Sequence, residues 1–514
     1  MAGKSELERR REERKGEKRD ATLYLNERST QQQLELLLNK AVRLKPDDLF
    51  GYLTRELSCL ALPVTVYQVT GSRIIDLGGE TAVKVTVHCT INGVSEVMQS
   101  AICSFPLPVV VTPVARSQSS LSRNSKQNSV TEDPVQPDVS ANSLNTVEEI
   151  VTKSSELLKN KKIAELESLD TCLKSLDVSL PDEVTVCMCA SWTISLALAK
   201  SACDLLHKPL YELLFAMNGV ENETVCPPVV VARMLSGGTV SNGKLKIRDF
   251  SVIPAETDYE EGIRNVCKFH KALGSVLSVK YGPSALAVLA DGSYAPSLDK
   301  PEQAFDLLQE AMTMSQLEWK THLLLAVNIN ASCGYDPEKN RYELTSGQWK
   351  TRDDLLTYYT DLKEQRPELV SLENPFTDQD SGSWCKLSER LGEGFTLIGE
   401  TGRPEASDED KPEQDIQSVE SLSAMVDKIT WNSQSTITQL CQTSRTIMSG
   451  TRQLLLNCDS NVNSDCVADV AMGVQTKYLK LPAPSSFDFL GIYNRLVQIY
   501  HHLKSRDNKS DSRS

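Results

Sequence analysis

From residue 229 onward, short apolar runs alternate with longer segments of helical spacing, and this rhythm constrains the fold more than any other feature of the sequence. The runs that predict buried strands cover residues 229–232, 250–253, 286–290, 323–329, 369–372, 395–398, 454–456 and 477–479. After the first two runs, helical segments such as 258–281, 300–320 and 351–365 separate most of them. Eight strands that alternate with helices predict a closed (β/α)8 barrel over residues 226–503, followed by a polar tail at 504–514.

The region before the barrel, residues 63–225, has the pattern of an α+β domain. Apolar side chains at odd positions from 83 to 91 alternate with polar ones, which is the period of a half-buried strand. Asn92-Gly93 then predicts a hairpin turn, and residues 94–103 form the returning strand. Residues 115–145 are rich in Ser and Asn and nearly free of large apolar side chains, so we expect a disordered insertion there, followed by several helices.

The N-terminal 62 residues contain two further segments. Residues 1–20 mix acidic and basic side chains without an apolar stretch, which is typical of a charged, solvated tail and not of a secretory signal. Within residues 21–62, a leucine-rich stripe ends at Lys45-Pro46-Asp47-Asp48, and a second short apolar segment follows. Two short amphipathic helices cannot bury their apolar faces alone, so we expect a partner or a dimer.

The charge balance and the scarcity of metal-binding motifs exclude several classes of protein. The net charge is 55 − 69 = −14, which argues against binding to nucleic acid. No run of 18 apolar residues occurs, so no membrane-spanning helix is expected. The 14 cysteines lack the C-x-x-C pairs of zinc sites and are expected to be free thiols of a cytoplasmic protein.

Acidic and amide residues lie at the edges of the predicted strands, where a barrel carries its chemistry. These residues are Asp249, Asp291, Asn328, Glu373, Glu400 and Asn457, and they are joined by Lys480. Clustered carboxylates indicate a hard divalent cation, best matched by Mg²⁺, and a lysine beside them suits metal-assisted proton abstraction. A single acid at such a position is more often a helix cap or a solvated residue, and that alternative remains for each one.

The helical segment at residues 21–62 resembles the dimerisation and docking module of protein-kinase-A regulatory subunits and related flagellar proteins. The matching features are Tyr24-Leu25-Asn26, the leucine stripe, Lys45-Pro46-Asp47-Asp48 and Tyr52-Leu53. This resemblance implies a protein partner bound through these helices. An ordinary helical hairpin that caps the next domain is the alternative.

Ordered motifs over residues 63–503 resemble those of the enolase family. They are Arg73–Val83, Trp192–Ala197, Lys208–Tyr211, Ser236-Gly237-Gly238, Phe250 with Pro254, Asp291–Pro296, Ser371–Phe376, Ile398-Gly399-Glu400 and Lys480–Pro484. The resemblance implies an enolase-type (β/α)8 barrel (a TIM barrel) preceded by an α+β N-terminal domain and by the helical docking-like segment. It also implies a homodimer and the family reaction, phosphopyruvate hydratase, a lyase step of glycolysis that converts 2-phosphoglycerate to phosphoenolpyruvate.

Carried over from the family, the metal ligands are Asn328, Glu373 and Glu400, and the ion is Mg²⁺. The family has Asp, Glu and Asp at these positions, so Asn328 has lost a charge and Glu400 is longer by one methylene. The resemblance makes Asp249 and Lys480 substrate-binding residues. Asp249 and Asp291 stand where the family has glutamates.

The proton donor implied by the resemblance is Asp291, and two positions compete for the proton acceptor. An ungapped alignment places Thr430 where the family has its lysine, whereas a two-residue shift places Lys428 there. Thr430 has no usable basicity for this step. Lys428 could also be a surface lysine at a strand start.

Other positions depart from the family pattern. The family run His-Arg-Ser reads Asn457-Cys458-Asp459, which removes the arginine that holds the phosphate, and a loop histidine is replaced by Val240. We therefore expect a weakened or lost hydratase activity. The alternative is a non-catalytic protein, a pseudoenzyme, that docks through its N-terminal helices into the sperm flagellum, because the chain also resembles a sperm-associated branch of the family.

Overall fold

The structure is a computed structural model in two compact units. It describes residues 22–26, 29–58, 60–75, 81–103, 139–177, 184–220, 226–238, 241, 243–400, 425–430, 433–450, 452–458 and 466–511. One unit comprises residues 1–65 and 90–94, and the other comprises residues 66–89 and 95–514.

The secondary structure alternates as the sequence predicts over most of its length. The helices are α1 (Thr30–Leu44), α2 (Leu49–Ser58), α3 (Val139–Leu158), α4 (Leu166–Asp177), α5 (Val184–Leu206), α6 (Leu210–Asn218), α7 (Tyr259–Tyr281), α8 (Pro301–Met314), α9 (Arg352–Gln365), α10 (Ser381–Leu391), α11 (Ile437–Met448), α12 (Cys466–Gly473) and α13 (Phe487–Asp511). The strands are β1 (Thr65–Ile75), β2 (Thr81–Ile91), β3 (Val94–Cys103), β4 (Val229–Ser236), β5 (Asp249–Pro254), β6 (Leu323–Asn328), β7 (Tyr335–Asp336), β8 (Arg341–Thr345), β9 (Gln348–Lys350), β10 (Leu369–Glu373), β11 (Thr396–Glu400), β12 (Met425–Thr430), β13 (Gln453–Asn457) and β14 (Tyr478–Leu481).

In the smaller unit, helices α1 and α2 form a hairpin around the predicted break. Lys45 adopts a left-handed conformation, and its N–H donates to the carbonyl of Ala41, so α1 ends there. Pro46 follows, and the Asp48 carboxylate accepts a hydrogen bond from the N–H of Gly51 in the first turn of α2. Lys40 of α1 pairs with Glu56 of α2 at 2.8 Å.

The α+β region of the larger unit consists of the sheet β1-β2-β3 and helices α3 to α6. Asn92 and Gly93 have φ of 53° and 81°, the left-handed pair that a tight hairpin between β2 and β3 requires. Within α5, residues Val186–Leu206 are long and apolar enough to cross a bilayer by length and composition, yet 83% of the 18-residue apolar window in this stretch is buried inside the protein. Core helices have the same composition.

Eight strands of the larger unit close into a barrel in the order β10-β11-β12-β13-β14-β4-β5-β6. The predicted barrel preceded by an α+β region is therefore confirmed. Strand β5 runs antiparallel to both of its neighbours, and the other pairs are parallel. Residues 237–248 join β4 to β5, and antiparallel neighbours do not require a crossover helix between them.

One predicted barrel strand is wrong, and another was missed. Residues 286–290 do not enter the barrel: Pro283–Leu286 is a 3-10 turn, and only Val288 forms an isolated bridge, with Tyr294. The eighth strand is β12, whose sequence MVDKIT carries two charged residues at its centre. The sequence predicts strands from apolar runs, and the charged residues of β12 interrupt its apolar run.

Two predicted boundaries also change. Helix α3 begins at Val139, so residues 139–145 are helical and do not belong to a disordered insertion, while residues 115–138 lie outside the described part of the chain. Helix α13 continues to Asp511, so the predicted polar tail from residue 504 is largely helical. The predicted charged tail, residues 1–20, lies outside the described residues.

The barrel interior has an apolar floor beneath its open end. Inward-pointing side chains from six strands form one packed cluster there, made by Val231, Ile253, Ala326, Ile398, Val426 and Leu455. Because side chains on a strand alternate in direction, the residue two positions closer to the mouth points inward as well. The floor therefore determines which residues face the mouth of the barrel.

Candidate active site at the barrel mouth

Above the apolar floor, each strand of the barrel contributes one polar side chain to the mouth. This mouth ring consists of Arg233, Asp249, Asn328, Glu373, Glu400, Lys428, Asn457 and Lys480, taken from β4, β5, β6, β10, β11, β12, β13 and β14 respectively. Except for Glu400, every member is buried. Buried polar groups of this kind must satisfy one another, and the contacts within the ring show how they do so.

Lys428 is the centre of the acidic part of the ring. Strand β12 aligns it with Glu400 of β11, and its ammonium lies 2.6 Å from Glu400 Oε1 and 2.8 Å from Glu373 Oε1. Thr430 follows two residues later on the same strand, at the level of Asn457. Of the two candidates for the proton acceptor, Lys428 is the one that the structure brings to the carboxylates.

The environment of Lys428 keeps its side chain protonated. Burial by itself favours the neutral amine and lowers the pKa, but the negative charges of Glu373 and Glu400 outweigh burial and raise the pKa of Lys428 above its usual value. The structure therefore shows an ammonium that donates to two carboxylates. A free amine, which is the form that can accept a proton, is disfavoured in this state.

Lys480 makes the second ion pair across the mouth. Its ammonium lies 2.6 Å from Glu373 Oε2 and 3.0 Å from Asp249, and the side chain is only 1% exposed. Glu373 is thus shared by two lysines, one on each carboxylate oxygen. Burial would raise the pKa of Glu373, but Lys480 and Lys428 together hold that pKa well below its usual range.

Two asparagine side chains complete the acidic part of the ring. Asn328 Nδ2 donates to Asp249 at 3.0 Å and to Glu373 at 3.2 Å, and Asn374 Nδ2 donates to Glu400 at 3.3 Å. The amide oxygen of Asn328 is buried and accepts no hydrogen bond from the described residues. Asn328 therefore serves its acidic neighbours as a hydrogen-bond donor.

The Mg²⁺ site predicted at Asn328, Glu373 and Glu400 does not fit these side chains as they are arranged. The Lys428 ammonium lies between the two carboxylates, and Asn328 presents its NH₂ group to Glu373. Mg²⁺ demands a near-octahedral set of oxygen ligands. Within the described part of the chain, no group of three or more His, Cys, Asp or Glu side chains is arranged to hold a metal ion. The arrangement is a network of ion pairs.

Asp291 does not lie at the end of a barrel strand, because the strand predicted at residues 286–290 does not form. It sits in the loop before Tyr294, where its carboxylate accepts hydrogen bonds from Ser293 N at 3.1 Å and Ser293 Oγ at 2.5 Å. Its carbonyl accepts from Ala483 N, just beyond β14. Gly292 has φ of 71°, and a Cβ there would lie 2.8 Å from the carbonyl oxygen of Ala483, so the loop is packed tightly against the chain after Lys480.

The opposite part of the ring is built around Arg233. Its guanidinium reaches over β14 to β13, where Nη1 donates to the carbonyl of Cys458 at 2.7 Å and Nη2 donates to Asn457 Oδ1. Cys458 itself is fully buried. Asp459 and Val240, which the sequence also places near this part, lie outside the described residues.

Sequence reasoning missed Arg233 and Asn374 as members of this site. A signal for Arg233 was available: in VVVARMLS it is the only charged residue of the run, and alternation places it on the same face as Val229 and Val231. Asn374 directly follows the last residue of β10, Glu373, and its position in the sequence does not show which way its side chain points.

The α+β region fixes the helix that follows the Lys428 strand. At the start of α11, the N–H of Thr438 donates to the buried Asp170 carboxylate and that of Ile437 donates to Ser195 Oγ, both at 3.0 Å. These side chains of α4 and α5 satisfy orphan donors at the helix N-terminus. The mouth ring is therefore positioned in part by residues outside the barrel.

Comparison with known proteins identifies similar sequences over almost the whole chain. The family model described as the enolase C-terminal TIM barrel domain matches residues 224–511. A Xenopus laevis protein named Enolase 4 is 25% identical over 549 residues, which covers 96% of this chain and 93% of that protein. Human Enolase 4 is 25% identical, with 95% and 88% covered. The Enolase of Pyrococcus furiosus is 25% identical over 313 residues, with 60% and 70% covered.

Proposed function

Because the chain belongs to the enolase family, we propose that it is a phosphopyruvate hydratase of strongly reduced activity, which converts 2-phosphoglycerate to phosphoenolpyruvate and water. The observation that carries this proposal is the position of Lys428 between Glu373 and Glu400 at the barrel mouth. A lysine there supports the chemistry of proton abstraction beside a carboxylate. The same contacts explain why the activity would be low.

In the proposed reaction, Lys428 Nζ accepts the proton from C2 of 2-phosphoglycerate as that C–H bond breaks. Asp291 then gives a proton to the departing C3 hydroxyl, so that water leaves and the C2–C3 double bond forms. Lys480, with Asp249 beside it, binds the carboxylate of the substrate. Each proton taken by Lys428 and each proton given by Asp291 must be exchanged with water before the next turnover.

Three features at the barrel mouth would slow this reaction. Lys428 must lose a proton that Glu373 and Glu400 stabilise, because they raise its pKa. Asn328 is uncharged and would not neutralise a cation. Cys458 has no guanidinium group that could bind the phosphate of the substrate. Loss of one preorganised contact to a developing charge typically lowers the rate by about 10²–10³-fold, although such losses do not add.

The test is a coupled assay of the purified full chain with 2-phosphoglycerate, run beside an authentic enolase. We expect kcat/KM at least about 10²-fold below that of the authentic enzyme, and a further fall of about 10²–10⁴-fold for Lys428→Ala. Lys271→Ala, an exposed lysine on α7, is the matched control and should leave turnover unchanged. Turnover that survives in Lys428→Ala, or none in the native chain, would contradict the proposal.

A second candidate function, docking into a larger assembly, is supported by the N-terminal helices. Val42 of α1 and Phe50 of α2 are 70% and 79% exposed, and several leucines of these two helices are more than two-fifths exposed. Apolar side chains at this density on two short helices are typical of an interaction surface. We propose that these helices attach a cytoplasmic protein to a protein partner, such as a component of the sperm flagellum.

Sedimentation velocity of the full chain can test this docking role, with a second copy as the simplest partner. We expect the doubly substituted Val42→Asp, Phe50→Asp protein to associate less than the native chain. Val279→Asp, an equally exposed valine on α7, is the control and should behave like the native protein. Equal association of all three proteins would show that the helices have no role in self-association. Localisation of the native and doubly substituted proteins in sperm would then test whether the helices bind a flagellar partner.

A further inference from the structure

The mouth ring balances its own charges. The ring contains three carboxylates, three cations and two neutral amides, and the cations that contact the carboxylates are Lys428 and Lys480. Five of the six charged residues are at least nine-tenths buried, so an excess charge among them would be costly. The ammonium groups of Lys428 and Lys480 therefore already supply positive charge to these carboxylates.

Within this ring, Lys428 takes the place between two carboxylates. Its ammonium is 2.8 Å from Glu373 Oε1 and 2.6 Å from Glu400 Oε1, so a single positive charge holds together two acids that would otherwise repel each other. A divalent ion entering there would have to displace this ammonium and leave it unpaired in a buried position. Uncompensated burial of that kind costs several kcal/mol per ion.

The neutral amide of Asn328 also helps to keep the net charge of the ring at zero. Its NH₂ group lies 3.0 Å from Asp249 and 3.2 Å from Glu373, and it supplies hydrogen bonds without adding charge. A carboxylate at residue 328 would be a fourth acid within hydrogen-bond distance of two others. It would remove two donors and give the ring an excess negative charge.

From these contacts we infer that the Lys428 ammonium is the resident cation of the barrel mouth, and that the mouth is stable without a divalent ion because residue 328 is a neutral amide. The inference concerns the same site as the proposed hydratase function, but it does not depend on turnover. It predicts which single substitutions convert the ring into a site for a divalent cation. These are Asn328→Asp, which adds an acid, and Lys428→Met, which removes the ammonium and keeps the apolar stem.

The experiment measures the melting temperature of the full chain in magnesium chloride, in EDTA, and in potassium chloride of equal ionic strength. We expect Mg²⁺ to leave the native chain unchanged within about 1 °C and to raise the melting temperature of Asn328→Asp and Lys428→Met by several degrees, because a ligand bound only to the folded state stabilises it. Asn340→Asp makes the same chemical change in an exposed turn and should show no Mg²⁺ response.

Isothermal titration calorimetry with magnesium chloride provides the second readout, with binding heat expected for the two variants and not for the native chain. A native chain that Mg²⁺ stabilises as strongly as Asn328→Asp would overturn the inference. So would a Lys428→Met protein that folds and ignores Mg²⁺, because the ammonium would then not be the cation of the site. Neither result depends on the assay with 2-phosphoglycerate, so failure here and failure of the proposed function are separate outcomes.

Discussion

The two sides of the barrel mouth differ in the way their polar groups are satisfied. On the acid–lysine side, formed by Asp249, Asn328, Glu373, Glu400, Lys428 and Lys480, charges meet opposite charges through short ion pairs. On the β13 side, formed by Arg233, Asn457 and Cys458, a cation meets a main-chain carbonyl and an amide oxygen. The acid–lysine side contains groups suited to proton transfer, whereas on the β13 side the hydrogen bonds of Arg233 link β4 to the end of β13.

The two sides also differ in what a substitution would leave behind. Cys458 is a buried thiol, and Arg233 donates to the main-chain carbonyl of the same residue. The lysines and acids could not be lost as easily, because removing one member of a buried ion pair leaves its partner uncompensated. We therefore expect substitutions on the acid–lysine side to lower stability more than substitutions on the β13 side.

The largest effect that separates the two sides is expected from Glu373→Ala. This change leaves the ammonium groups of Lys428 and Lys480 buried without their shared partner, so the free energy of unfolding should fall by about 3–5 kcal/mol in urea denaturation. Glu310→Ala is the matched control, because Glu310 pairs with Lys280 at the surface. That pair should contribute less than about 1 kcal/mol. Equal losses for the two variants would mean that the buried network is not stabilising.

A smaller effect is expected from Arg233→Ala on the β13 side. The carbonyl of Cys458 and the amide oxygen of Asn457 would each lose a donor in a buried place, at a cost of about 1–3 kcal/mol in the same urea denaturation. Arg264→Ala, which breaks an exposed pair with Glu260 on α7, should leave the free energy of unfolding nearly unchanged. A loss for Arg233→Ala above that for Glu373→Ala would reverse the ranking of the two sides.

The smallest expected effect is a change in the free energy of unfolding with pH, caused by His270. His270 stacks on Tyr294, and burial lowers the pKa of His270 to about 4, below the value of about 6.5 in an unfolded chain. Its neutral form therefore contributes stability above pH 6.5, and that contribution is lost as the pH falls toward 4. We expect a loss on the order of 1 kcal/mol between pH 7 and 5.5.

His270→Phe keeps a stacking ring but cannot titrate, so the fall in stability over this pH range should be reduced by that amount. Urea denaturation at several pH values measures it. His207→Asn removes an exposed histidine and should leave the native profile unchanged. An identical profile for His270→Phe and the native chain would show that His270 does not titrate in this range.

Much of the fold followed from local patterns in the sequence. The alternation of apolar runs and helical segments predicted seven of the eight barrel strands, and Asn92-Gly93 predicted the hairpin between β2 and β3. These features depend on residues close together in the chain, so they can be read without tertiary contacts. The pattern failed at 286–290 and at β12, because an apolar run can pack outside a barrel and a barrel strand can point charged side chains into its mouth.

Only the tertiary structure shows which of Lys428 and Thr430 lies against the carboxylates. Both residues lie on the same face of β12, so alternation alone cannot distinguish them. The register with β11 places Lys428 opposite Glu400, and Glu373 approaches from the next strand. Arg233 was likewise visible in the sequence as a charge within an apolar run, but its partners on β13 were not.

The sequence by itself determined which side chains are available at the strand ends, including the neutral amide at residue 328 and the cysteine at residue 458. Only the closed barrel decided that Lys428, Lys480 and Arg233 meet the acids and carbonyls of other strands. The physical reason is that an ion pair depends on distances between strands far apart in the chain, and these distances are set when the barrel closes.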